Sequence, residues 1–413
     1  MKIALIATHA TPIPAHKGDP TDSESLYLCH LARNLAALGH RVTIHTRCTD
    51  PQTSERTRMG RSVVVAPIVA GPRRPLREQE YIEHTGTFAR RLTEQLRADP
   101  PDIIHAFGWS SGLAALAAVR DLERDIPVVQ TFHSLNVSEQ RVGLPANPQR
   151  VRLEAALAHH AKAVLVNSAD QRFELARMGV PRSRVCIVPF GVDTDQFTVE
   201  GAAHGPWQRR RSAAGRPLRI IAVTRLDPLG GVDTLIRTMA RLPDGELLIV
   251  GDPAPEHLAI DPNAQRLERH AKEADVNDQV TLTGAVTRRD LARMLRSADV
   301  FVSTAFYDPY GSAVLEAMAC GLPVVARAVG GITGAMLDGT TGVLLRSAHP
   351  STLAHVLRQL AADTTQRTAY GIAGADRAAS RFTWARVAAE TERIYQKLLP
   401  TTPELPLASG NGA

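Results

Sequence analysis

In "FYDPYGSAVLEAMACGLPVVA", residues 306–326, two carboxylates stand eight positions apart, Asp308 and Glu316. Gly311 and Ser312 open a helical pattern between them, so Asp308 belongs to the approach loop and Glu316 lies about one turn into the helix. A helix start presents unpartnered backbone N–H groups and a partial positive charge, which suit a diphosphate. Carboxylates beside it can accept hydrogen bonds from sugar hydroxyls. Taken alone, the same pair could equally be an acidic residue complementing the helix dipole and an ordinary surface glutamate.

Other chemistry-bearing residues sit at the ends of apolar runs. Arg225 in "RLDPLGGVD" follows Leu218 to Val223, a strand-end position from which a side chain can reach a ligand. His133 in "QTFHSL" closes another run; it faces a ligand or packs as a strand-end histidine. Asp19, Asp22, Glu24 and Ser25 share the stretch "GDPTDSESLY". These acidic residues can form an anionic wall that attracts a cation, or a solvated loop. Arg150 and Arg152 would oppose such a wall if they face the same space.

The elements that must position these residues are short apolar runs alternating with helical segments. "KIALIAT", a helix near Leu26 to Leu38 closed by Gly39, "HRVTIHT", "SVVVAPI", "DIIHAF", "PVVQTF", "AVLVNS" and "VCIVPFGVD" follow one another up to about residue 193. Strand, helix, strand with Gly as the helix stop implies a parallel sheet covered on both faces. Residues 196–217 carry Gly, Pro and Arg without periodicity and read as a connection. The alternation restarts with "LRIIAVT", "GELLIVG", "QVTLTG", "ADVFVST", "LPVVAR" and "TGVLL", with helical segments such as Leu291 to Ser297 between them. The expected organisation is therefore a domain over 1–195, a linker over 196–217, a second domain over 218–381, a last helix within 382–400 and a tail over 401–413 without reason to be ordered. Open sheets of this kind bind ligands at the carboxyl ends of their strands, so the cleft between two of them is the expected site.

Composition narrows the chemistry further. The 413 residues favour two domains. The net charge of +6 is almost all arginine, diffuse and without alternating aromatics, which argues against a nucleic acid partner. Four cysteines, Cys29, Cys48, Cys186 and Cys320, have no zinc or disulfide spacing. No apolar run approaches the ~20 residues that span a bilayer, and a cytoplasmic protein is expected. The first strand is followed by "ATHATPIP" rather than GxGxxG, and no GxxxxGK[ST] occurs, which sets aside nicotinamide oxidoreductases and P-loop NTPases.

Together with "RLDPLGGVD", "VPFGVD" and "AVGGITGAMLDGTTGVLL", the 306–326 segment resembles retaining glycosyltransferases of the GT-B fold, in the large family that includes sucrose-phosphate synthases and glycosyltransferases of mycothiol synthesis. The resemblance runs from "GHRVTIHTR" to "TWARVAAETERIYQ". It implies two facing Rossmann-like domains with the last helix crossing back to the first. It also implies sugar transfer from a nucleoside diphosphate with retained anomeric configuration and no metal cofactor. Carried onto this chain, Arg225 neutralises the donor diphosphate, and Asp308 and Glu316 are the carboxylates of the family's E-x7-E motif, the first on the sugar and the last on the ribose. Backbone amides of Tyr310, Gly311 and Ser312 hold phosphate or sugar oxygens, and His133 lies near the donor sugar's C6 hydroxyl. Asp22, Ser23, Ser25, Glu78 and Arg152 fall on the acceptor side.

Three positions depart from that pattern. Gly230 stands where the family places a second phosphate cation, Asp308 is one methylene shorter than glutamate, and Asp22 and Ser23 occupy a Gly-Gly turn. Each costs about 1.5 to 3 kcal/mol if a charge-assisted contact is lost. The expected protein is a glycosyltransferase of specialised metabolism acting on a small acceptor, with the acidic loop favouring a cationic one. The alternative is a homologue with impaired catalysis that serves as a binding or partner protein. Oligomeric state is left open.

Overall fold

The structure is a computed structural model that describes residues 1–12, 22–52, 56–207 and 217–400. Two sheets organise it. The first has β1 (Lys2–Ala7), β2 (Arg41–Arg47), β3 (Thr57–Arg58), β4 (Val63–Ile68), β5 (Ile103–Phe107), β6 (Val128–Thr131), β7 (Ala163–Val166) and β8 (Val185–Ile187), in the order β3-β4-β2-β1-β5-β6-β7-β8. All its pairings are parallel except β3 with β4. The second has β9 (Leu218–Val223), β10 (Gly245–Val250), β11 (Val280–Gly284), β12 (Val300–Ser303), β13 (Val324–Arg327) and β14 (Gly342–Leu345), in the order β11-β10-β9-β12-β13-β14 and wholly parallel. Each sheet reverses direction of growth once, beside β1 and beside β9, and these switch points open crevices at the strands' carboxyl ends.

The apolar runs form these strands because both sheet faces are covered: β5, β7, β10 and β12 are buried at every position. Such strands read as continuous hydrophobic stretches rather than alternating ones. The two-residue β3 escapes sequence reading because "TR" carries no apolar pattern. The helix Ser23–Ala37 starts three residues before the periodic run suggests, because Asp22 caps it, and Gly39 takes a φ of 90° just beyond its end. Residues 401–413, expected to lack order, lie outside the described residues, as do 208–216 of the expected linker.

The last helix, Trp384–Leu398, returns to the first domain. Trp384 stacks on His30 at 5.0 Å and meets Tyr27 and Phe190 edge-on. Tyr395 is fully buried with its hydroxyl 2.6 Å from His105 Nδ1, and Glu392 lies 2.9 Å from His40 Nε2. One apolar cluster thereby runs from β1 and the helix Ser23–Ala37 through Phe190 and Trp384 to β12 and the helix Ser312–Ala319. Burial of this helix fixes how the two sheets face each other.

Candidate active site

Loops from both switch points meet in one cleft. From the second sheet come the turn after β9 and the loop after β12, joined where the Phe306 N–H donates to the Leu229 carbonyl at 2.8 Å. From the first come the loops after β1 and β6, carrying His9 and His133, and the helix start at Gly108 to Ser110 after β5. Tyr310 bridges the two sets: its hydroxyl donates to Glu24 Oε1 at 3.2 Å and its ring meets those of His133 and Phe190.

Arg225 leaves the end of β9 with its side chain 58% exposed, held 3.0 Å from Asp227 Oδ2. Asp227 also closes the turn by accepting from the N–H of Leu229 at 3.0 Å and Gly230 at 3.3 Å. Gly230 is therefore more than a missing side chain. A Cβ there would stand 1.9 Å from the Arg225 carbonyl oxygen, so a lysine could not be accommodated by this turn.

Asp308 departs from its expected role. Its Oδ1 accepts from the backbone N–H of Gly311 at 2.7 Å and of Tyr310 at 3.1 Å. The amides of Tyr310 and Gly311, expected to hold phosphate or sugar oxygens, are thus taken by the loop's own carboxylate. The short aspartate side chain lets the loop close on itself; glutamate would reach past those donors. Burial raises the Asp308 carboxyl above its ordinary value although these bonds and Arg225 oppose it. Ser312 begins the helix Ser312–Ala319 after Gly311 in the left-handed region, with no side-chain cap, so this helix start keeps its outward N–H groups.

Glu316 is buried and its Oε1 accepts from Arg288 at 2.7 Å. Burial raises its carboxyl, with Arg288 pulling the other way. The Arg288 guanidinium lies over the Phe197 ring at 4.7 Å, which holds it in place. Nothing in the sequence around Arg288 marks this role, because its partner is 28 residues away on another helix.

On the opposite wall, His133 is 3% exposed, stacked on Phe107 at 5.7 Å and flanked by Tyr27. Its Nδ1 is buried without a hydrogen-bond partner, and burial lowers its pKa, favouring neutral imidazole. His9, overlooked in the sequence, lies 2.6 Å from Glu24 Oε2; as a residue just past a strand end it carried the same signal as His133. Burial alone would raise the Glu24 carboxyl, but His9 and His133 hold it well below the usual range. Gly108, at a φ of 78°, makes room for His9: a Cβ would fall 2.5 Å from the imidazole Cε1.

The described carboxylates of the expected acidic wall are engaged by partners rather than free. Asp22 caps the helix Ser23–Ala37, accepting from the N–H of Glu24 and Ser25 and from Ser25 Oγ. Ser25 Oγ also accepts from the Thr11 N–H at 3.2 Å, so Asp22 and Ser25 shape the helix start, which Ser23 opens. Asp19 lies outside the described residues. Arg152 is exposed and donates to its own helix at the Pro148 carbonyl, so it does not face the cleft. Arg150 does. It is buried and meets Glu78 at 2.9 Å, Glu139 at 2.9 Å and Glu154 at 2.7 Å. Burial would lower its pKa, but the three carboxylates raise it. Burial pushes the Glu154 carboxyl up to about 7 despite the ion pair. Glu78, Glu139 and Arg150, with His9, Glu24, Tyr81, Ser134 and His133, line a cavity of ≈ 290 Å³.

Comparison with known proteins accords with this geometry. The family model "Glycosyltransferase Family 4" matches residues 25–196 and "Glycosyl transferases group 1" matches residues 206–377. A D-inositol 3-phosphate glycosyltransferase of Corynebacterium aurimucosum is 31% identical, over 96% of this chain and 96% of its own length. A protein of the same name from Mycobacterium bovis is 31% identical over 83% of this chain and 72% of its length. Among solved structures, a sucrose-phosphate synthase from Thermosynechococcus elongatus superposes with a TM-score of 0.83 at 26% identity, covering 96% of this chain and 98% of its own. Anabaena HepE, solved with UDP and glucose, superposes with a TM-score of 0.71 at 18% identity, covering 96% and 99%, and so shares the fold. With two switch-point clefts facing each other and these relatives along nearly its whole length, the chain belongs to the GT-B glycosyltransferase family of the D-inositol 3-phosphate glycosyltransferases and sucrose-phosphate synthase, and is a nucleotide-sugar-dependent glycosyltransferase.

Proposed function

We propose that the enzyme transfers a sugar, with retention, from a nucleoside diphosphate to a small hydroxylated acceptor that carries no phosphate and bears an amine or other cationic group. The observation that carries the acceptor assignment is Arg150. It is the only guanidinium or ammonium lining the cavity among the described residues, and its donors are already committed to Glu78, Glu139, Glu154 and Ser134. Relatives named for inositol 3-phosphate act on an anion; here an incoming phosphate would have to displace a carboxylate from Arg150 and then sit beside it. A cationic group instead meets a cluster in which three carboxylates surround a single guanidinium. Such acceptors, aminocyclitols and amino sugars among them, belong to specialised metabolism.

In this reading Arg225 and the helix start at Ser312 stabilise the departing diphosphate, the task a metal performs elsewhere. Glu316, oriented by Arg288, receives the nucleotide ribose. His133, in the cavity lining, meets a hydroxyl of the donor sugar. The bond from the anomeric carbon to the diphosphate oxygen breaks, the acceptor oxygen bonds to that carbon on the same face, and the acceptor proton passes to the released diphosphate. Asp308 supports the loop that carries Tyr310 rather than binding the sugar with both oxygens. Retention of Arg225, the helix start, Glu316 and His133 around one cleft favours catalysis over a purely binding role.

The test is a transfer assay with UDP-, GDP- and ADP-sugars against matched acceptors: a free cyclitol, its amino derivative and its phosphate. Preference for the amino or free acceptor supports the proposal. Phosphate-bearing acceptor used tenfold better overturns the acceptor assignment, and absence of turnover together with absence of nucleoside diphosphate binding overturns the catalytic one.

A further inference from the structure

We propose that His9, Glu24 and His133 form a binding site for a divalent cation of the zinc type, whose occupancy blocks the cleft. Their ligating atoms, one per residue, all lie within 4.8 Å of one another. They come from three separate elements, the loop after β1, the first turn of the helix Ser23–Ala37 and the loop after β6, so the tertiary fold alone assembles them. Two imidazoles and one carboxylate are the donor set of borderline cations such as Zn²⁺, with a fourth position left for water. Mg²⁺, which prefers oxygen ligands, is a poor match.

The surroundings orient these ligands. The His133 ring is held by Phe107 at 5.7 Å, Tyr27 at 5.8 Å and Tyr310 at 5.7 Å, so it cannot turn freely. One oxygen of Glu24 accepts from the Tyr310 hydroxyl while the other faces His9 at 2.6 Å. That pattern, a ligating carboxylate fixed by an outer hydrogen bond, is the usual support of a metal site. Gly108 supplies the space for the His9 ring. A cation would replace the contact between His9 and Glu24 and recruit a ring nitrogen of His133.

The cation would lie where the donor sugar meets His133. It should therefore compete with a nucleotide sugar and leave the nucleoside diphosphate alone unaffected. This consequence rests on the function proposed above; the binding itself does not.

The experiment uses the full chain. Zn²⁺ is titrated by calorimetry and Co²⁺ by visible absorption, in the wild type, Glu24→Gln and His9→Ala, with UDP binding and thermal unfolding as checks that each variant folds. The expected result is saturable binding of one equivalent, a tetrahedral Co²⁺ spectrum, no comparable binding of Mg²⁺, and affinity at least about tenfold weaker in the folded variants. Absence of saturable binding in the wild type overturns the proposal. So does unchanged affinity in Glu24→Gln, which would place the cation elsewhere among the histidines.

Discussion

Replacing Gly230 by lysine restores, on paper, the second phosphate cation of the family, and a charge-assisted contact is worth about 1.5 to 3 kcal/mol. The turn contradicts that expectation. The new Cβ would fall 1.9 Å from the Arg225 carbonyl oxygen and 2.8 Å from Thr224 Oγ1. A backbone carbonyl cannot rotate away as a flexible side chain can, so the turn must open and break the bonds from Leu229 and Gly230 to Asp227. Overpacking of this kind costs about 1 to 3 kcal/mol, which for a domain of this size lowers Tm by roughly 2 to 4 °C per kcal/mol. Gly230→Ala, with no cation to offer, should lose stability to a similar degree. Thermal unfolding of wild type, Gly230→Ala and Gly230→Lys, each followed by UDP calorimetry, separates the two effects. Both variants should melt lower, and Gly230→Lys should bind UDP no tighter than wild type. A wild-type Tm with UDP bound at least tenfold tighter in Gly230→Lys would refute the reasoning, since the turn would then open at little cost.

Arg225→Ala should weaken UDP binding by about 1.5 to 3 kcal/mol, roughly one to two decades, without lowering Tm, because the side chain is exposed and contributes little packing; calorimetry and a melting curve read both. Arg288→Ala leaves Glu316 buried without its partner and should both lower Tm and weaken nucleotide binding, whereas Arg288→Ala together with Glu316→Gln should recover part of the stability loss, measured by urea unfolding. His105 is buried between Tyr395 and Thr131 with its pKa lowered to about 3 by burial. The unfolded chain therefore takes up a proton below about pH 6.5 that the folded one refuses, and stability falls as pH drops from there, by about 1.4 kcal/mol at pH 5.5 for this residue. Urea midpoints at pH 7.5 and 5.5 should diverge more in wild type than in His105→Gln. Trp384→Ala removes a buried ring that fills the space against Gly191 and Tyr27, and should cost about 3 to 5 kcal/mol, seen as a lower Tm and earlier proteolysis of the last helix.

Most strands were legible because a strand covered on both faces must be apolar at nearly every position, and runs such as "DIIHAF" and "GELLIV" are short apolar stretches between amphipathic helical segments. Arg225, His133 and Glu316 were legible as candidates because each sits in its own contiguous motif at a strand end or helix start. Their surroundings were not. The carboxylate of Asp308 turned back on its own loop, Asp22 and Ser25 served a helix start, and Arg152 pointed away while Arg150, two residues earlier, turned inward.

The sequence by itself determined the two parallel sheets, the glycosyltransferase family and the loops from which a donor site had to be built, since these follow from local periodicity and from motifs contiguous along the chain. Only the tertiary structure decided the electrostatics of the cleft. Whether Glu24 and Glu78 present free negative charge depends on His9, Tyr310 and Arg150, which lie 15, 286 and 72 residues from them. Charge pairing over such separations is set by how strands order within a sheet and how the sheets face each other, and no short-range pattern encodes it.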